Sequence, residues 1–167
     1  MLRLRPYKAC DAQTIVSWIG DETMFRKWSA DRFESYPITA EDLNRHYDRM
    51  ADSDSFYEMT AFDETGVAGH LIMRFTDEKK TILRFGFVIV DPTLRGRGYG
   101  KAMLLLGVEY VRERFPAGRI DLGVFANNPA AKRCYESVGF REYGRRMCRL
   151  PVGTWECIDM ELFIRRG

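Results

Sequence analysis

Arg95, Arg97 and Lys101 alternate with Gly96, Gly98 and Gly100 in the run Asp91-Pro-Thr-Leu-Arg-Gly-Arg-Gly-Tyr-Gly-Lys101. Cations interleaved with glycines suit phosphate, because a glycine lets a ligand come close to the backbone. The flanking segments decide whether backbone donors are there to be used. Ile82 to Val90 is almost unbroken hydrophobic and β-rich, which predicts a strand buried on both faces. Ala102 to Val111 is apolar and lacks proline, which predicts a largely buried helix. The glycine-rich run therefore presents the first free N–H groups of a helix, at the positive end of its dipole.

Spacing narrows the ligand. A P-loop needs Lys-Ser/Thr after its last glycine, and Lys101 is followed by Ala102. A dinucleotide loop needs G-x-G-x-x-G, whereas Gly96, Gly98 and Gly100 run G-x-G-x-G. What remains is Arg95-x-x-Gly98-x-Gly100, which resembles the R/Q-x-x-G-x-G/A pyrophosphate loop of the GCN5-related N-acetyltransferases (GNAT). A second string, Asn128-Pro-Ala-Ala-Lys-Arg-Cys-Tyr-Glu-Ser-Val-Gly139-Phe140, follows at the distance that family shows. Asn128 suits a cap, Pro129 a first helical position and Gly139 a stop. Ala131, Cys134, Tyr135 and Val138 share one apolar face, which leaves Tyr135 open between a core tyrosine and a catalyst. The string resembles the family's N-x-x-A-x-x-x-Y-x-x-x-G-F motif. The resemblance covers Thr81 to Phe140 well and the ends of the chain only in layout.

The elements that must position these motifs are legible in outline. Leu2 to Arg5 alternates as a strand, and Asp11 can cap a helix running to about Ile19. Asp21 to Pro37 carries Phe25, Trp28, Phe33 and Tyr36 without a clean period. Thr39-Ala-Glu-Asp42 resembles a capping box opening a helix to about Met50. Phe56 to Phe62 and Val67 to Phe75 read as a hairpin around Asp63-Glu-Thr-Gly66. Arg119 to Phe125 is a further strand, and Arg141 to Leu150 with Thr154 to Ile164 is a last hairpin. The resemblance implies an α/β GNAT fold over residues 1–167 as one domain: a mixed, mostly antiparallel seven-stranded sheet, about four helices, and a splay between the fourth and fifth strands.

Composition excludes several classes. A content of 46% hydrophobic and 30% charged residues is ordinary for a globular chain of 167 residues, and the formal charge of +2 argues for neither nucleic acid nor membrane. No apolar run approaches the roughly 20 residues of a membrane span, and none follows the basic start, so no signal peptide is expected. Cys10, Cys134, Cys148 and Cys157 lack metal-ligand spacing. A reduced, metal-free, cytoplasmic protein is the reading, with a homodimer left open. Arg95-Gly-Arg97-Gly could touch RNA, but RNA-binding Arg-Gly tracts are disordered repeats and this one joins two apolar elements.

The resemblance also implies roles. Acetyl-CoA is the cosubstrate and a primary amine the acceptor. The backbone of Val88, Ile89 and Val90 would hold the pantetheine and thioester, with the N–H of Val88 or its neighbour polarising the carbonyl. Arg95, Gly96, Arg97, Gly98, Tyr99 and Gly100 would take the pyrophosphate, Asn128 the pantetheine, and Tyr135 would protonate the leaving thiolate. Lys132 and Arg133 could reach a further phosphate or form a solvated face. The family's two usual positions for a glutamate base are Arg84 and Gly123 here. That departure favours acceptors of low pKa, such as a protein N-terminus, and leaves Glu22, Asp31, Glu34, Glu58 and His70 as other bases. The aromatic segment is loosely similar to the ribosomal-protein N-terminal acetyltransferase branch. A small amine would fit it too. The alternative is a non-catalytic acyl-CoA-binding module, favoured by the missing carboxylates and opposed by Tyr135.

Overall fold

The computed structural model describes residues 1–166. Seven strands and five α-helices follow one another as β1 (Arg3–Pro6), α1 (Ala12–Ser17), α2 (Glu22–Ser29), α3 (Ala40–Asp48), β2 (Phe56–Asp63), β3 (Gly66–Phe75), β4 (Ile82–Val90), α4 (Tyr99–Arg114), β5 (Arg119–Phe125), α5 (Pro129–Val138), β6 (Arg141–Leu150) and β7 (Gly153–Phe163). The strands form one sheet in the order β1-β2-β3-β4-β5-β7-β6. Every neighbouring pair is antiparallel except β4 and β5.

The sheet buries two cores. On one face Leu83 and Phe85 of β4 pack with Leu122, Met160 and the apolar side of α4. On the other, Ile72, Phe87 and Ile89 pack with Phe25, Trp28, Leu43 and Tyr47 of α2 and α3. Gly107 lies inside α4, where a glycine costs about 1 kcal/mol relative to alanine. A Cβ there would stand 3.1 Å from Phe85 Cζ, so the glycine is what lets α4 close on the sheet.

The aromatic segment contains α2, which brings the α-helices to five, and three other readings need correction. The two turns of α2 bury Phe25, Trp28 and Ser29 at i, i+3 and i+4, but fully buried Arg26 interrupts the apolar pattern. Asp11 caps nothing. It is buried and accepts hydrogen bonds from both Arg5 Nη atoms at 2.8 Å, from the Lys8 N–H at 2.9 Å and from Thr60 Oγ1 at 2.8 Å. Asn128 sits at the N-cap of α5, yet its side chain makes no cap bond. Strand β4 alternates instead of burying both faces, because Arg84 and Gly86 border a cavity. The capping box at Thr39 and Asp42 is present as read, with both reciprocal bonds formed.

Candidate active site

The β4–β5 ladder has pairs only at Ile82–Arg119, Leu83–Ile120 and Arg84–Asp121. Beyond Arg84 the two strands separate, and the edge of β4 facing β5 loses its ladder partners. At the opening, β4 carries a bulge. Gly86 pairs with Ile72 and Ile89 with His70, so Phe87 and Val88 together oppose Leu71. Phe87 takes φ 48°, a strained conformation for a bulky residue and of a kind that concentrates at functional sites. The bulge moves Phe87 to the face of Gly86 and turns Val88 and Val90 toward the other core. Trp28 Nε1 donates to the Phe87 carbonyl at 2.9 Å, fixing the bulge from α2. A glycine followed by an aromatic residue inside a strand was the available sequence signal.

The glycine-rich run closes the other end of the opening. Gly96 and Gly98 have φ of 78° and 81°, and a Cβ at either would meet nothing within 4 Å. Glycine is needed there for the backbone conformation and for access, not to avoid a neighbour. No hydrogen bond among the described residues engages the backbone N–H groups of Gly96 through Lys101. They stand unengaged at the N-terminus of the 16-residue α4, where free backbone donors and the helix dipole favour an anion. Tyr99 adds only its backbone, since its hydroxyl donates to Asp63 Oδ2 at 2.7 Å.

A cavity of about 660 Å³ runs from this loop along β4. Val88, Ile89, Val90, Arg95, Gly96, Gly98, Tyr99, Gly100, Asn128 and Tyr135 all line it, while Arg97 is exposed beside it. Tyr135 is 8% exposed, packs edge-on to Phe140, and is held protonated by burial, which raises its pKa. Its hydroxyl makes no hydrogen bond to a described residue. The ring is buried while the hydroxyl faces the cavity without a protein partner, which leaves it available to a ligand. Of the two cations on α5, Lys132 is paired with Glu136 and Glu142, and Arg133 borders the cavity.

A second cavity of about 800 Å³ opens on the α2–α3 side. Lys27, Trp28, Phe85, Gly86, Phe87 and Gly123 line both cavities, so the two meet at the bulge. Trp28, Phe33 and His46 surround the Phe87 ring at centroid distances of 4.9, 5.9 and 5.8 Å. Tyr36 packs on Phe25 and lines neither cavity.

The candidate bases sort clearly. His70 is fully buried, 2.6 Å from the Tyr47 hydroxyl, with its pKa pushed down to about 3 by burial, so it is inaccessible and neutral. Glu58, Glu22 and Glu34 line neither cavity, and Asp31 is an exposed wall residue of the second. Sequence reasoning missed His46. It borders the second cavity half-buried, and burial followed by Arg49 and Arg32 lowers its pKa, which keeps the ring neutral at pH 7. Arg84 is held by Asp121 and Asp159, each at 3.3 Å.

Among the described residues no helix is long and apolar enough to cross a membrane, and no group of three or more His, Cys, Asp or Glu could hold a metal ion. A mycothiol acetyltransferase from Nocardiopsis dassonvillei is 31% identical over 147 residues, covering 83% of this chain and 42% of that protein. Another from Acidothermus cellulolyticus is 33% identical over 127 residues, covering 69% and 38%. The chain thus spans about two fifths of the length of these curated relatives. A spermidine N-acetyltransferase from Vibrio cholerae, solved with CoA and spermine, has the same fold at TM-score 0.82 and 19% identity, over 97% of this chain and 95% of that one. The model of the acetyltransferase (GNAT) family matches residues 22–140, from the start of α2 to the end of α5 and so across the elements that meet at the bulge; the chain belongs to that family.

Proposed function

We propose that residues 1–167 form one N-acetyltransferase domain that moves an acetyl group from acetyl-CoA to a primary amine by direct attack on the thioester. The observation that carries this reading is the free Tyr135 hydroxyl in the cavity that joins the unengaged loop N–H groups to the unpaired edge of β4. The residues fit the cosubstrate in charge and shape. The N–H groups of Gly96 to Lys101 and the Arg95 guanidinium hold the pyrophosphate. The open edge of β4 at Val88 to Val90, with the uncapped Asn128 amide, holds the pantetheine.

The amine enters through the second cavity and meets the thioester at Gly86 and Phe87. The Val88 N–H polarises the carbonyl as negative charge develops on its oxygen. Tyr135, kept protonated by burial, donates to the departing sulfur, and a thiol of pKa ~8.5 needs little more help. The ammonium must lose a proton before it attacks. At pH 7 an α-amine is neutral in roughly one part in ten, and a lysine-like amine in roughly one in a few thousand. Without a carboxylate at position 84 or 123 the first kind is favoured, with water or neutral His46 accepting the proton. The acceptor is the amine of a protein N-terminus or of a small molecule. Relatives named for mycothiol and for spermidine differ in acceptor, so neither name carries over.

Thiol release from acetyl-CoA across a panel of amines and peptides tests this reading. Release that depends on an amine and yields the acetylated amine supports it. Acetyl-CoA binding without release on any acceptor would instead support the acyl-CoA-binding module.

A further inference from the structure

The second cavity carries more positive charge than its surroundings cancel. Lys27, Arg32, Arg74, Arg84, Arg146 and Arg149 line it, against Asp31 and Asp121. Two of these cations are already neutralised. Arg84 lies between Asp121 and Asp159, and Arg146 Nε is 3.0 Å from Asp159 Oδ2. Arg74 is different. It stands on β3 directly opposite Arg84 in the ladder, half-buried, with no carboxylate within ion-pair distance among the described residues. Burial first, and then Arg32 and Arg84, lower its pKa, with Asp121 acting in the opposite direction.

Arg32 is not placed there at random. It belongs to the loop after α2, and that loop is tied down by fully buried Arg26. Arg26 Nη1 donates to the carbonyls of Ala30 at 3.2 Å and Phe33 at 2.7 Å, and Nη2 donates to that of Glu34 at 3.2 Å. A buried cation is thus used to hold a second one at the cavity wall. Arg32 is exposed, and holding the half-buried Arg74 guanidinium among other cations costs free energy that an incoming anion offsets. Guanidinium is also the side chain best matched to carboxylate and phosphate oxygens.

We propose that Arg74 and Arg32 form an anion subsite of the acceptor cavity, and that the acceptor is a small primary amine carrying a carboxylate or phosphate. Its anion sits against Arg74 and its amine reaches the bulge at Gly86 and Phe87. The volume of about 800 Å³ falls within the roughly 300–1,000 Å³ of small-molecule sites. A polyamine would set its ammonium groups against unpaired arginines and is disfavoured. The acceptor assignment rests on the acetyl-transfer reading; the anion subsite by itself does not.

The test uses matched pairs at equal free-amine concentration: an amino acid against its amide, and 2-aminoethyl phosphate against 2-aminoethanol, with spermidine and an acidic peptide alongside. Thiol release from acetyl-CoA gives kcat/KM. The anionic member of at least one pair is expected to exceed its uncharged partner by tenfold or more, and the pair that responds tells carboxylate from phosphate. Arg74→Gln should bring that ratio close to one while the acetyl-CoA-induced thermal shift persists, and Arg74→Lys should restore part of it. Ratios near one in the parent, a preference for spermidine, or a ratio unchanged in Arg74→Gln would overturn the proposal. The acidic peptide outperforming every small amine would overturn the small-molecule assignment. Calorimetric titration of the same amines into CoA-saturated protein separates the two readings. Arg74-dependent binding of the anionic members without turnover keeps the subsite and rejects acetyl transfer; turnover without charge preference does the reverse.

Discussion

Arg84 and Gly123 occupy one space from opposite sides of the β4–β5 opening: a Cβ at position 123 would stand 2.7 Å from Arg84 Nη2. Position 123 is free of a side chain, and the Arg84 guanidinium fills that gap while reaching Asp121 and Asp159. These are the two positions at which the family resemblance leads one to expect a carboxylate base. The chain replaces both by one ion-paired arginine lying over a glycine. The two departures therefore form one packing arrangement, and it directs attention to the acceptor's own proton.

A pH–rate profile reads that proton. With no carboxylate base at the bulge, kcat/KM should rise with pH along the acceptor's titration, and two acceptors differing by about two units in pKa should give curves displaced by the same amount. Neutral His46 makes a specific contrary outcome. Its pKa lies below the usual 6.5, so a limb below that pH, common to both acceptors and removed by His46→Gln, would assign the proton to the imidazole.

The glycine-rich loop predicts a cofactor effect that needs no acceptor. A ligand bound only by the native state stabilises it by about 2.7 kcal/mol at a hundredfold excess over Kd, a rise of about 5–10 °C in Tm for a chain of this size. Gly98→Val should abolish the acetyl-CoA shift, because the side chain would stand in the open space over the N–H groups at a φ of 81° that valine resists. The variant's own Tm should also fall. A full acetyl-CoA shift in Gly98→Val would mean that the pyrophosphate binds elsewhere.

Asp11 predicts an acid-side loss of stability. Burial alone would raise its pKa, but hydrogen bonds from Arg5, Lys8 and Thr60 outweigh burial and lower it. A carboxyl group with a folded pKa below its unfolded value contributes stability above about pH 4, and that contribution is lost as pH falls through the folded pKa. Asp11→Ala should cost about 2–4 kcal/mol at pH 7, through the uncompensated Arg5 and the unpaired Thr60 hydroxyl. Denaturant titration at pH 7 and pH 3 checks it: the gap between parent and variant should narrow at the lower pH. An equal gap at both would remove ionisation from the account.

The sheet, the loop before α4 and the α5 string were readable because each rests on local signals: β-rich runs, glycine spacing, a proline at a first helical position. The second cavity was not. It is built where α2, α3, β3 and β5 converge, and none of its arginines forms a motif. Arg74 reads as one charged residue near the end of an apolar strand until the ladder sets it against Arg84. Arg26 lies in a segment without a clean period, and nothing local marks it as fully buried. His70, one of the alternative bases, is removed by burial that its neighbours in sequence do not announce. His46 lies on a polar-looking helix, and only the bulge at Phe87 brings a site to it.

The central claim is acetyl transfer through the cavity that Tyr135 lines, and thiol release from acetyl-CoA by Tyr135→Phe, read beside cofactor binding, tests it most directly. The account predicts amine-dependent release by the parent. It also predicts a fall of about 10²-fold in turnover in the variant, with the acetyl-CoA thermal shift retained, since only the proton donor is lost. Equal turnover by the variant and the parent would return Tyr135 to the core and contradict the account.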